Sequence, residues 1–140
     1  MLREMTPEVG EFLLAAKWPG VLSTLSPNGA PITSAVWFGI AGDDIIISTP
    51  AGRPKARNAR LDPRVSFVVD TKERPYRGVA IEGLAQVIDD PDRSMMRSIA
   101  ERYLGPLLPP EVEQRIAGQD RALIRIKARR IRPWGIAVAN

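Results

Sequence analysis

Two tight-turn signals near the start of this chain force neighbouring segments to run antiparallel. Ser26-Pro27-Asn28-Gly29 separates apolar-rich runs at residues 21–25 and 31–39, and Ala41-Gly42-Asp43-Asp44 leads from the second run into Ile45-Ile46-Ile47-Ser48. Such Asn/Gly/Asp clusters supply the backbone conformations that short hairpin loops require. Three consecutive antiparallel strands follow. Asp62-Pro63 then breaks the chain before a strand at 65–70, and a polar loop at 71–75 precedes a long, bending strand at 77–88, with Gly78 and Gly83 supplying the bend or bulge. Ala122, Ile124 and Ile126 alternate with Leu123, Arg125 and Lys127 as in a half-buried strand, and 131–139 reads as a last strand or strand-like tail.

Helices are inserted between these strands. Thr6-Pro7-Glu8 offers a hydroxyl cap, proline at the first helical position and an acid in the first turn, and Phe12, Leu13, Ala15 and Ala16 give an apolar face ended by Pro19-Gly20. A short helix fits 54–61. Asp89-Asp90-Pro91-Asp92 reads as a helix start rather than a metal cluster, with Asp90 capping and Pro91 first. Met95, Met96, Ile99, Ala100, Tyr103 and Leu104 then follow at the spacing of a core-facing stripe, and Pro109-Pro110-Glu111 opens a shorter helix ending near Gly118. Six or seven strands connected in this way close into a small barrel.

The 140 residues are expected to form one domain, 1–140, with 44% hydrophobic and 26% charged residues, burying roughly two-thirds of the surface of the unfolded chain. There is no cysteine and no histidine. Disulfides, a Cys/His zinc site, Ser-His-Asp and Cys-His devices and any imidazole base are therefore excluded. An enzyme built from this sequence leaves the difficult chemistry to a bound cofactor. The net charge of +4 favours anionic ligands. The sixteen Arg and four Lys are spread along the chain and not interleaved with aromatics, which argues against nucleic acid. No run approaches the ~20 apolar residues of a membrane span, and Met1-Leu2-Arg3-Glu4 does not begin a signal peptide, so a cytoplasmic location is expected.

The segment Ser48-Thr49-Pro50-Ala51-Gly52-Arg53-Pro54-Lys55-Ala56-Arg57-Asn58 places hydroxyls at a strand end, a glycine hinge, two cations and a helix start together. A helix N-terminus favours anions, and Arg53 and Lys55 add full charges, so the segment suits a phosphate. It reads about as well as a solvated basic turn.

The order of several motifs resembles the split-barrel flavin and deazaflavin oxidoreductases related to pyridoxamine 5'-phosphate oxidase. The motifs are Leu22-Ser23-Thr24-Leu25 with Asn28-Gly29, Ala35-Val36-Trp37-Phe38, the Ser48 to Asn58 segment, Leu61-Asp62-Pro63-Arg64-Val65, Pro75-Tyr76-Arg77-Gly78-Val79-Ala80-Ile81-Glu82-Gly83, and Ile131-Arg132-Pro133-Trp134-Gly135. None is specific alone; their order and spacing over about residues 20–135 are. The resemblance implies a mainly β fold with inserted helices, a six-stranded antiparallel split β-barrel of the FMN-binding type. It also implies a homodimer with cofactors in the clefts between subunits. By the same resemblance, Ser48, Thr49, Gly52, Arg53, Lys55 and Asn58 hold the cofactor phosphate and nearby tail. Thr33, Ser34, Val36 and Trp37 line its ring, and Tyr76 and Arg77 complete the cleft from the neighbouring subunit.

Gly52-Arg53-Pro54-Lys55, Val36-Trp37-Phe38 and Pro75-Tyr76-Arg77 are similar to the deazaflavin branch. Ile32-Thr33-Ser34-Ala35-Val36 lacks the cation that pyridoxamine phosphate oxidases carry on this strand, and the chain ends at Asn140 soon after Trp134-Gly135, both against vitamin B6 oxidation. The resemblance thus implies coenzyme F420, with FMN as the alternative. The reaction would be hydride transfer to or from a conjugated or quinone-like molecule, without a catalytic residue assigned; a non-catalytic carrier stays open. Arg57 and Arg60 suit an oligoglutamate tail, Tyr76 is a conceivable proton donor, Trp37 is expected in the barrel core or an interface, and Trp134 at an interface. Lack of histidine weakens haem.

Overall fold

Each hairpin signal yields its strand pair in the computed structural model, which describes residues 1–137. β1 (Gly20–Leu25) and β2 (Pro31–Val36) pair antiparallel from Gly20↔Val36 to Leu25↔Pro31. The chain then breaks at Trp37-Phe38, and β3 (Gly39–Ala41) pairs antiparallel with β4 (Asp44–Pro50). The single strand expected over 31–39 is therefore two. The break is held by distant groups: the Phe38 N–H donates to Tyr103 Oη at 3.2 Å, and Arg102 Nε donates to the Phe38 carbonyl at 3.1 Å.

β5 (Arg64–Asp70) and β6 (Gly78–Asp89) complete the order β2-β1-β5-β6-β7-β4-β3 with β7 (Arg121–Trp134). Its two end strands, β2 and β3, are one stretch of chain. The sheet therefore closes on itself, and counting the kinked pair as one strand recovers a six-stranded split barrel. β7 is unbroken where two strands were expected, because it pairs along its whole length with β6 while its first half also pairs with β4. The far end of the tail expected at 131–139 lies outside the described residues. The register of β6 shifts between Glu82 and Gly83, where a Cβ on Gly83 would stand 2.6 Å from the Lys127 carbonyl oxygen.

Alternation sorts β4 and β7 into two faces. Ile45, Ile47, Ile124 and Ile126 point into the barrel with Leu22, Phe38, Phe67 and Ile81, joined by Val9 and Leu13 of α1 (Pro7–Ala15). Each such burial stabilises the fold by about 1.5–3 kcal/mol relative to exposure. Ile46 and Leu123 point outward, where Ile99 of α3 (Ser94–Leu104) covers them. Ile45-Ile46-Ile47 does not alternate in polarity because both of its faces are covered.

α2 (Pro54–Leu61) and α4 (Pro110–Gly118) occupy the expected stretches. α3 begins later than Pro91. Asp90 still caps it, its buried carboxylate accepting from Met95 N at 3.4 Å and Met96 N at 3.0 Å, across a turn in which Arg93 has φ 57°. Near the other end of α3, Arg102 closes α1 by donating to the carbonyls of Leu13, Leu14 and Ala16 at 2.7–2.8 Å. No described helix is long and apolar enough to cross a membrane.

Candidate functional site

The outward face of β4 that α3 leaves uncovered opens into a cavity of about 430 Å³. β4 contributes Ser48 and Pro50, the following turn Arg53, and β7 Arg121; α3 supplies Met96, Ile99 and Ala100, and α4 with its following residues supplies Val112, Arg115 and Gln119. Trp37 closes one side, braced by a parallel stack on Tyr103 with ring centroids 4.7 Å apart. α3 and α4 are fastened by a bidentate Arg97–Glu113 pair at 2.7 Å, and Arg93 Nε donates to the Gln119 carbonyl at 2.8 Å. The wall is therefore a tied pair of helices.

Charge around the cavity is one-sided. Arg53, Lys55, Arg115 and Arg121 form no ion pair among the described residues. Burial, then Arg53 and Arg121, hold the Lys55 ammonium below its ordinary pKa. Arg121 is pulled down by burial, then by Arg115, with Asp90 opposing and Arg53 adding. Arg121 is positioned by donating from Nε to Ser48 Oγ at 3.3 Å and from Nη1 to Gln119 Oε1 at 3.0 Å. Crowded, partly desolvated cations without ion-pair partners destabilise the empty site and favour an anion in it.

The structure does not bring all the expected residues here. Ser48, Arg53 and Trp37 line the cavity, with Lys55 in electrostatic reach of Arg53 and Arg121. Thr49 points the other way from Ser48 and is buried, its Oγ1 without a hydrogen-bond partner among the described residues. Asn58 is also buried, and its Nδ2 donates to Thr24 Oγ1 at 3.2 Å, so its amide ties α2 to β1. Gly52 is exposed, its φ is outside the left-handed region and a Cβ there would meet nothing within 4 Å, so the turn makes no demand for a glycine hinge. Arg57 and Arg60 do not line the cavity; Arg60 Nη1 donates to the Ala51 carbonyl at 3.2 Å.

β2 is elsewhere on the barrel. Thr33 is exposed and hydrogen-bonds Ser23 across the strand pair at 2.9 Å, Ser34 is half-buried, and Val36 packs against the core. Tyr76 and Arg77 belong to the loop between β5 and β6. Arg77 lines a separate concavity of about 700 Å³ with Trp18, Val21, Ala35 and Arg74, and Tyr76 is exposed. Trp37 lies outside the barrel against α3, not in its core, and Trp134 packs over Gly78 while staying partly exposed.

Residues 5–135 match the pyridoxamine 5'-phosphate oxidase family. The chain belongs to that family. No curated protein matches it. Among solved structures it is similar to a conserved hypothetical protein of Mycobacterium tuberculosis, with 34% identity, TM-score 0.78, and coverage of 94% of this chain and 86% of that one. It is also similar to an F420 reductase at 29% identity and TM-score 0.74, covering 91% and 98% of the two chains. The haem storage protein HutZ of Vibrio cholerae, at 18% identity and TM-score 0.71 over 95% and 96% of the chains, shares the fold.

On this family's barrel, the cations that motif order missed are Arg115 and Arg121. Arg121 shares the outward face of β7 with Leu123, opposite Pro50 of β4, and that parity becomes readable only once β4 and β7 are known to pair. Arg115 stands one turn after Val112 on α4, so both reach the same cavity.

Proposed function

We propose that this chain is a coenzyme F420-dependent oxidoreductase, working as a homodimer on a small conjugated or quinone-like organic molecule. The observation that carries the reading is the unpaired Arg53 and Lys55 beside Ser48, at the edge of a cavity walled by Trp37. The donor set fits an anionic cofactor: cations and a hydroxyl are present, and none of the described residues that line the cavity is a carboxylate. When bound, the deazaflavin supplies the hydride chemistry, and the protein supplies placement and exclusion of water.

In this reading Arg53, Lys55 and Ser48 hold the anionic end, with charge-assisted hydrogen bonds contributing roughly 1.5–3 kcal/mol each. Trp37, fixed by Tyr103, offers a flat apolar wall. β2 leaves Pro31, Ile32, Thr33 and Ala35 exposed, so a second copy packed there would cover apolar surface; in this reading the second copy contributes Tyr76 and Arg77 to the first copy's cleft. The similarity to an F420 reductase supports this cofactor over FMN.

The test is to titrate the purified protein separately with F420 and FMN by fluorescence, then to follow reduction of an enone panel by reduced F420. F420 binding with turnover is the expected result. Tighter binding of FMN would replace the cofactor, and binding without turnover across the panel would leave a carrier. The Arg53→Ala, Lys55→Ala double variant should keep its Tm and lose at least about tenfold in F420 affinity, or ~1.4 kcal/mol. Unchanged affinity would remove the phosphate-turn reading.

A further inference from the structure

Four cations around one cavity exceed what a single phosphate monoester, carrying about −1.5 to −2 at neutral pH, can neutralise. They also arrive from two directions. Arg53 and Lys55 belong to the turn and first residues of α2, whereas Arg115 comes from α4 and Arg121 from the first residue of β7. Arg115 has no hydrogen bond or ion pair to any described residue, and the Nη2 of Arg121 has none either, its Nε and Nη1 being held by Ser48 and Gln119.

The neighbouring acids are engaged elsewhere. Asp90 is buried under the first turn of α3, accepting from Met95 N and Met96 N. Glu113 pairs with Arg97 at 2.7 Å, and Asp120 faces Arg93 at 3.8 Å. Among the described residues no carboxylate forms an ion pair with Arg115 or Arg121, and a cavity of about 430 Å³ has room for more than one anionic group.

We propose that Arg115 and Arg121 form a second anion-binding point, so that this cavity selects ligands carrying two or more linked anionic groups over a single phosphate. The inference rests on reading the cavity as the seat of the cofactor's anionic end, and there it assigns these two arginines to the groups beyond the first phosphate. Phosphate followed by carboxylates, or phosphates in a chain, share the required chemistry.

Inorganic probes separate this inference from the choice of cofactor. Phosphate, pyrophosphate and tripolyphosphate are titrated into the intact protein by calorimetry at constant ionic strength, since screening weakens exposed charge pairs. Wild type should bind tripolyphosphate at least about tenfold more tightly than phosphate. Arg115→Gln should erase most of that preference and leave phosphate affinity within about twofold. Arg121→Gln should do the same, and if loss of its ties to Ser48 and Gln119 unfolds that variant, Arg115→Gln alone decides. Arg53→Ala with Lys55→Ala should weaken all three anions. Arg129→Gln, which removes an equal charge from an exposed position outside the cavity, should change nothing. The proposal is overturned if Arg115→Gln keeps the full preference, if wild type has none, or if Arg129→Gln loses it equally. A retained preference with no F420 binding would sink the cofactor reading and leave this one standing.

Discussion

Basic side chains in two regions of this barrel meet opposite fates. Near the C-terminal end of α3, the Arg102 guanidinium donates to the carbonyls of Leu13, Leu14, Ala16 and Phe38, all within 3.1 Å. Around the cavity, Arg53, Lys55, Arg115 and Arg121 find no carboxylate to pair with among the described residues. The residue chemistry is nearly the same, and what differs is whether the fold supplies acceptors. Satisfied donors mark architecture, and donors left over mark a place for a ligand.

The largest effect that would sharpen this contrast is on stability. Arg102→Ala strands several helix-end carbonyls and should cost about 3 kcal/mol, because hydrogen bonds to a charged group are among the strongest in the fold. Urea unfolding at neutral pH measures it, and a loss below about 1 kcal/mol would mean that water replaces the guanidinium readily. The cavity cations should behave in the opposite way. Removal of Arg53, Lys55 or Arg115 leaves Tm unchanged or raises it, because these cations make no ion pair in the empty site.

Asp90→Ala comes next, at about 1 kcal/mol, the usual worth of a helix cap. It bears on both regions, since it frees the α3 N-terminus and removes a negative charge near Arg121. Thermal unfolding reads the first effect and anion affinity the second. The smallest effect is at Asp62, where Arg64 holds the exposed carboxyl down at about 2, chiefly through side-chain hydrogen bonds. Its folded pKa lies below the unfolded value near ~3.9. Its contribution is therefore present above that pH and disappears as the pH falls through about 2. The stability difference between wild type and Asp62→Asn should be constant above about pH 5 and shrink toward zero on acidification.

Local chemistry made much of this molecule legible in the sequence. Turn residues fixed β1, β2 and β4, Thr6-Pro7 fixed the start of α1, and Gly83 marked the place where the register of β6 against β7 shifts. The break between β2 and β3 was not legible, because the groups that hold it, Tyr103 and Arg102, are 65 and 64 residues from Phe38. The continuity of β7 escaped for a similar reason. Its alternation slips between Ala128 and Ile131, and the extra residue, Arg129, is absorbed by a bulge that only the pairing with β6 reveals.

The site divides along the same line. Ser48, Arg53 and Lys55 are neighbours in sequence, so their meeting at one cavity was readable there. Arg115 and Arg121 join them only through the pairing of β4 with β7 and the docking of α4, which no local pattern reveals. Thr49 and Asn58 lie within the same motif but face inward, one by strand parity and the other on the helix side shared with Ala56 and Ala59. A motif names a segment, and periodicity decides which of its side chains can reach a ligand.

The most direct test of the account is a crystal structure of the protein with F420 bound. Leftover cations holding an anion predicts density for the anionic end of the cofactor between the Arg53–Lys55 turn and the Arg115–Arg121 pair, with Trp37 alongside. Cofactor density lying wholly elsewhere, with all four of these cations facing solvent in its presence, would contradict it.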